Sequence, residues 1–195
     1  MPIRPYEPPA ESMQALREAA KTTPKAYRHN AEMMKAVLAD WQKHWPHPVY
    51  CVGLQEMASA NGLRKAELIG WRYLAQAGKD RNYAIEVQME EDGTDHQFAE
   101  LDKGPYIDGI YKVLQDESLA KKAGATVFKP AVLRINAMGI FAVWLRTDDP
   151  EKEIIIPLPP TPSYVVPWQQ YSIKRFQDAL REQAKEKLAN DFSDA

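Results

Sequence analysis

Apolar runs of strand length are concentrated in the second half of the chain and give its clearest pattern. Two such runs, 131–136 and 140–147, flank the turn Ala137-Met138-Gly139, and a third run at 153–156 leads into the proline-rich segment 157–162. β-Branched and aromatic side chains fit a pleated surface, whereas proline removes the hydrogen-bond donor that a further strand would need. The order predicts a β-meander followed by a proline-rich strap that crosses the sheet edge.

A second set of strands is predicted upstream of the meander. Apolar residues alternate with other residues along 69–75 and again along 83–89, and the intervening 78–82 is suited to a hairpin turn. A third strand is expected near 96–101, entered through Asp92-Gly93.

Helical periodicity occupies both ends of the chain and one central segment. The spacing of apolar residues predicts a short helix at 11–21, a longer one that runs from Pro24 to Pro46, and another within 50–61. Gly104-Pro105 opens a further helix that ends before Gly124, and an amphipathic helix follows Pro167.

These elements predict an α+β fold, with an antiparallel sheet of about five or six strands packed against several helices. A chain of 195 residues suits one hydrophobic core. We expect residues 1–9, which contain four prolines, to form an extended arm, and residues 10–195 to form a single domain. The predicted parts of that domain are a helical part at 10–62, a sheet-rich part at 67–166 and a C-terminal helix at 168–190.

Composition narrows the class of protein. The net charge is −2, 45% of residues are hydrophobic and 27% are charged, values typical of a soluble globular protein and unfavourable for nucleic-acid binding. A single cysteine excludes an intrachain disulfide and favours a reducing compartment. The N-terminus has no apolar signal-like region, and the longest apolar run, 139–145, is far shorter than the ~20 residues of a membrane helix. We therefore expect a cytoplasmic protein that does not enter a membrane.

Residues 54–71 resemble a helix-turn-helix. Gly62 would form the turn, and Arg64 and Lys65 would face a DNA major groove. The acidic charge balance argues against this alternative, and residues 67–76 fit a strand as well as a recognition helix.

Cysteine and histidine suggest a second alternative, a hydrolase-type enzyme. Cys51 with His96 and a later polar residue, Asn136 or Asp108, has the chain order of some thiol hydrolases. His44, His47 and Cys51 are also of the types that bind zinc, but the cluster lacks a fourth ligand. No P-loop, G-x-G-x-x-G or G-x-S-x-G motif occurs, so we assign no catalytic residue, metal or cofactor.

Aromatic residues and the strap favour a non-catalytic binding or assembly module. Aromatic side chains between helices and a concave sheet can line a ligand pocket. The candidate pocket residues are Trp71, Tyr73, Tyr83, Trp144 and His96. The strap and the terminal helix could offer apolar surface to a second copy or another protein, so a homodimer is one expectation. The candidate surface residues are Pro159, Pro160, Tyr164, Trp168 and Phe176.

Overall fold

One continuous sheet of eight strands organises the protein. The computed structural model describes residues 3–76, 81–119 and 126–191. The strands are β1 (His47–Cys51), β2 (Glu67–Gln76), β3 (Asn82–Gln88), β4 (Gln97–Asp102), β5 (Lys129–Ile135), β6 (Ile140–Arg146), β7 (Ile154–Pro157) and β8 (Tyr171–Ser172). Their order across the sheet is β4-β3-β2-β1-β5-β6-β7-β8. Every neighbouring pair is antiparallel except β1 and β5, which are parallel.

Helices cover both faces of this sheet. The α-helices with described bounds are α1 (Ala10–Thr22), α2 (Arg28–Ala39), α3 (Leu54–Ala58), α4 (Pro105–Leu114) and α5 (Ile173–Asp191). Short 3-10 helices occur at Lys25–Tyr27, Trp41–His44, Gly62–Lys65, Asn136–Met138 and Pro150–Lys152.

The core has three parts, two on one face of the sheet and one on the opposite face. On one face, α1 and α2 pack over β2 and β3, where Tyr73 and Ile85 are fully buried. On the same face, α3 and α5 pack over β5 to β7. Helix α4 covers the opposite face, against residues such as Leu74 and Val143. Because side chains point alternately to the two faces, adjacent residues of one strand belong to different parts of the core.

The α+β class predicted from the sequence is confirmed, but the expected five or six strands and the antiparallel pairing match only roughly, because the sheet has eight strands and one parallel pair. The two strands missed are β1, which has five residues and contains Pro48, and β8, which has only two. Both are too short for alternation to identify them. The β1–β5 pair is parallel, with Val49 opposite Val132, and the whole of β2 to α4 lies between these strands in sequence. Such a long connection is what a parallel pair requires.

Several predicted helices also differ from the observed ones. The long helix expected between Pro24 and Pro46 is divided into Lys25–Tyr27, α2 and Trp41–His44. Trp45 has a φ of 46°, in the left-handed region, which ends helical geometry before β1. The C-terminal helix begins at Ile173 instead of 168, because Tyr171–Ser172 pairs with β7. Parts of two predictions, the hairpin turn at 78–82 and the end of the helix before Gly124, fall outside the described residues.

The face covered by α4 contains a buried cluster of charged side chains. Glu86 accepts hydrogen bonds from Arg72 Nε at 2.9 Å and from Arg134 Nη1 at 2.9 Å. Burial raises the pKa of Glu86, but the charges of Arg72 and Arg134 outweigh this effect and hold its pKa below the usual value. Both carboxylate oxygens are used by the arginines, and the cluster holds β2, β3 and β5 in register.

Within residues 3–76, 81–119 and 126–191, no helix combines the length and apolar character that crossing a bilayer requires.

Candidate functional site

A cleft between α5, the 3-10 helix Gly62–Lys65 and the β6–β7 side of the sheet is the strongest candidate site. Its volume of about 690 Å³ falls within the range of small-molecule binding sites. The polar and aromatic residues that line it are Tyr50, Asn61, Arg64, Trp144, Arg146, Glu151, Glu153, Ser172, Lys174, Gln177, Asp178 and Arg181.

The floor of the cleft is a stacked group of aromatic and charged side chains. Trp144 and Arg146 are two residues apart on β6 and therefore project from the same face. The Arg146 guanidinium carbon lies 4.8 Å from the Trp144 ring centre and 4.9 Å from that of Tyr50. Arg146 Nη1 also donates a hydrogen bond to the Tyr50 hydroxyl. These contacts hold the guanidinium in one orientation at the base of the cleft.

The carboxylate of Glu153 holds Trp144 and Arg146 in place at this floor. Only 6% of its surface is exposed, and its Oε2 accepts a hydrogen bond from Trp144 Nε1 at 2.9 Å. Its Oε1 lies 3.5 Å from Arg146 Nε. The buried carboxylate is therefore committed to residues of the protein, because both of its oxygens face a donor group.

One face of α5 forms a wall of the cleft. Lys174, Gln177, Asp178 and Arg181 occupy positions i, i+3, i+4 and i+7, which lie on one side of a helix. Lys174 and Asp178 make no hydrogen bond or ion pair with any residue that the structure describes. These two charges are available to a ligand.

Gln177 joins the two walls. Its Oε1 accepts a hydrogen bond from Leu63 N at 2.8 Å, and its Nε2 donates to the carbonyls of Met57 at 3.0 Å and Ser59 at 3.1 Å. The side chain is 5% exposed, so these bonds are formed away from water. Gln177 therefore sets the distance between α5 and the 3-10 helix Gly62–Lys65.

The charges around the cleft favour an anion slightly. Arg64, Arg146, Lys174 and Arg181 are cationic, and Glu151, Glu153 and Asp178 are acidic. Arg64 lies 3.9 Å from Glu151, and both side chains are mostly exposed. Such a surface pair contributes little and is easily exchanged for a ligand contact.

The helix-turn-helix interpretation of residues 54–71 is wrong. Glu67–Gln76 is strand β2, and Arg64 and Lys65 belong to a single 3-10 turn that leads into it. A recognition helix requires several turns to reach along a major groove. Residues of β2 pair with β1 and β3 instead.

The aromatic residues proposed as one pocket are not brought together. Trp71, Tyr73 and Tyr83 pack beneath α1 and α2, where the Tyr73 hydroxyl is 2.8 Å from Ser12 Oγ. Burial raises the pKa of Tyr73 to about 12. Trp144 alone lines the cleft described above, while His96 lies in an open groove between α1 and the start of β4.

The residues proposed as a partner surface have different environments. Phe176 belongs to α5 and is fully buried in the core between this helix and the sheet, and Tyr164 is partly buried. Trp168 is 38% exposed, with Lys112 Nζ 4.2 Å from its ring centre. Pro159 and Pro160 belong to the strap, and Tyr106 Oη lies 3.5 Å from the Pro160 carbonyl.

The histidines and Cys51 are likewise separated. His44 Nδ1 lies 2.8 Å from the Leu74 carbonyl, and His47 is buried with its Nδ1 2.6 Å from the Trp45 carbonyl. Cys51 is opposite Arg134, and burial raises the pKa of its thiol. His96 adjoins β4, three strands away from Cys51 in the sheet order. In the described ranges, no group of three or more His, Cys, Asp or Glu residues could hold a metal.

Sequence reasoning missed most residues of the cleft, although two signals pointed to them. Trp144 and Arg146 are two residues apart on a predicted strand, and Lys174, Gln177, Asp178 and Arg181 have helical spacing on the predicted terminal helix. Neither signal shows that these faces meet.

Comparison with known proteins adds no functional assignment. The chain matches no family model, and no curated protein or solved structure is significantly similar to it. Function is therefore inferred from the geometry of the cleft.

Proposed function

We propose that the protein is a non-catalytic binding module that holds a small organic anion in the cleft between α5 and the sheet. The observation that carries this proposal is the position of Arg146, stacked on Trp144 and Tyr50 at the floor of a cleft large enough for a small molecule. Guanidinium groups match carboxylate and phosphate groups in shape as well as charge.

The immobilised floor supports binding. Glu153 and the two aromatic rings already hold Arg146, so a ligand loses less binding energy to the ordering of a flexible side chain. Arg64 and Arg181 add positive charge from the two walls. An anionic group placed above Arg146 would be flanked by these cations, while the apolar part of the ligand would lie against the aromatic residues.

The test is titration with 3-phenylpropionate, a small carboxylate with an apolar ring, by isothermal calorimetry. We expect saturable binding that weakens as salt is added, because salt screens partly exposed charges. Arg146→Gln should weaken binding by about tenfold or more, since it removes a charge-assisted contact in a partly buried site. Arg181→Gln should weaken it by a smaller factor.

Arg17→Gln is the matched control, because it removes the same charge from the exposed side of α1, far from the cleft. Circular dichroism and thermal unfolding would establish that each variant is folded. Absence of binding, or equal binding by wild type, Arg146→Gln and Arg181→Gln, would contradict the proposed function.

Association with a second copy or another protein stays a prediction, as does a cytoplasmic location. Val166 and Trp168 lie between the strap and β8 and are exposed apolar residues, at 54% and 38%. Deletion of residues 168–195 would remove buried Phe176 and Leu180 and so would not test association alone. Sedimentation of a Val166→Ser and Trp168→Ser double variant is the sharper measurement, and an unchanged monomer would count against assembly through this segment.

A further inference from the structure

We infer that the ligand of the cleft is zwitterionic, an amino acid or a similarly small molecule that carries an ammonium group beside its carboxylate. This inference rests on the proposed function and concerns the same site. It comes from Asp178, an acidic residue that a site for a simple anion does not explain.

Asp178 differs from the other acidic residues of the cleft. Glu153 is committed to Trp144 and Arg146, and Glu151 lies beside Arg64 at the outer rim. Asp178 has no hydrogen bond or ion pair with any described residue. Its carboxylate is therefore the acidic group of the cleft that remains free to meet a ligand.

The placement of Asp178 gives the cleft two separate charged regions. Arg146 is on the floor, on β6, whereas Asp178 is on the α5 wall, one helical turn from Lys174. A carboxylate bound at Arg146 would leave an adjoining ammonium free to approach Asp178. A simple anion would instead be repelled by Asp178, because like charges oppose each other.

The rest of the lining suits the apolar part of such a molecule. Ile173, Pro150, Ala60 and Ala66 line the cleft together with the edge of the Tyr50 ring. Apolar and aromatic walls with a few polar groups are typical of sites that recognise small molecules. An amino acid with an apolar or aromatic side chain fits this combination.

Three probes of nearly the same size separate the two charges. L-Phenylalanine carries both, 3-phenylpropionate lacks the ammonium and phenethylamine lacks the carboxylate. Each would be titrated by calorimetry into wild type, Asp178→Asn and Glu186→Gln. The last variant is a control that removes one acidic charge from α5 at a residue outside the cleft.

We expect wild type to bind L-phenylalanine at least about twofold more tightly than either of the other probes, because an exposed charge pair contributes up to about fivefold in affinity. Asp178→Asn should remove this preference for L-phenylalanine over 3-phenylpropionate, whereas Glu186→Gln should keep it. Both variants should bind 3-phenylpropionate at least as well as wild type.

Failure of this inference is distinguishable from failure of the proposed function. If 3-phenylpropionate binds as tightly as L-phenylalanine, or if Asp178→Asn retains the preference, the zwitterionic ligand is refuted while anion binding stands. If neither carboxylate probe binds, both proposals are refuted.

Discussion

His47 makes the stability of the protein depend on pH in a way that a single substitution can reveal. The imidazole is completely buried, and its Nδ1 lies 2.6 Å from the Trp45 carbonyl. A carbonyl can only accept, so Nδ1 carries the hydrogen and donates it. Nε2 has no hydrogen-bond partner in the described parts of the chain. The folded protein therefore holds His47 neutral.

Burial is the main reason that the pKa of His47 falls to about 4, and the charge of Arg72 also lowers it. An unfolded histidine has a pKa of about 6.5. Because the folded-state pKa is the lower one, stability is fully present above about pH 6.5 and is lost as pH falls towards 4. The linkage relation gives a loss of about 2 kcal/mol between about pH 7.5 and about pH 5, and about 3 kcal/mol in all.

The perturbation is His47→Asn, whose amide nitrogen can still donate to the Trp45 carbonyl but cannot titrate. Urea unfolding of wild type and variant at about pH 7.5 and about pH 5 gives four free energies of unfolding. Groups common to both proteins cancel in the double difference, so the pH-dependent loss should be about 2 kcal/mol larger in wild type. A lower absolute stability of the variant does not affect this comparison.

Two results would refute the reasoning. One is an equal pH dependence of wild type and His47→Asn. The other is an NMR titration of the folded protein in which the His47 ring takes up its proton near pH 6.5, since a buried neutral ring should instead keep its Nδ1–H form at about pH 5.

Three further predictions concern stability and use denaturant unfolding as the measurement. Gln177→Ala should lower the free energy of unfolding by about 2 to 4 kcal/mol, because it leaves buried backbone groups on the opposite wall of the cleft unpaired. The control Lys185→Ala, at an exposed residue, should change it little. Glu86→Gln should lower the free energy of unfolding by about 3 to 5 kcal/mol, because it leaves the guanidinium groups of Arg72 and Arg134 without their counter-charge. Glu32→Gln, at an exposed ion pair, should lower it by less than about 1 kcal/mol, and an equally small loss for Glu86→Gln would contradict the prediction. Gly62→Ala should cost about 1 to 3 kcal/mol, since its Cβ would overlap the Glu56 carbonyl oxygen, and a variant of wild-type stability would show that the backbone can shift there without cost.

Local patterns predicted the strands that are long enough to display them. The meander was expected at 131–136, 140–147 and 153–156, and the strands observed are Lys129–Ile135, Ile140–Arg146 and Ile154–Pro157. Strand β1 gave no such signal because its five residues include Pro48, and its parallel partner β5 begins 78 positions after β1 ends. Pairing between segments so far apart depends on the packing of the whole core, which no window of sequence contains.

The cleft was beyond sequence reasoning for a related reason. Its two walls are joined by the hydrogen bond between Leu63 and Gln177, which are 114 positions apart. Helical spacing places Lys174, Asp178 and Arg181 on one face, but the spacing of polar residues is the same whether that face meets water or a second wall. The contacts of Gln177 with Leu63, Met57 and Ser59 make this helix face part of a site.

The two arginine–glutamate groups of the sheet show why one is structural and the other is a candidate site. Glu86 uses both oxygens on Arg72 and Arg134, and the cluster is covered on the α4 face, where Tyr106 stacks on Phe141 at 4.6 Å. The Glu86 carboxylate is paired within the fold, so an anionic ligand would have to displace it from the two arginines. Arg146 is supported on one side by Glu153 and the aromatic rings, and 33% of its side chain remains exposed to the cleft. A cation that is held in place but still accessible can gain contacts when an anion arrives, and this difference in access supports the proposal of a binding site at Arg146.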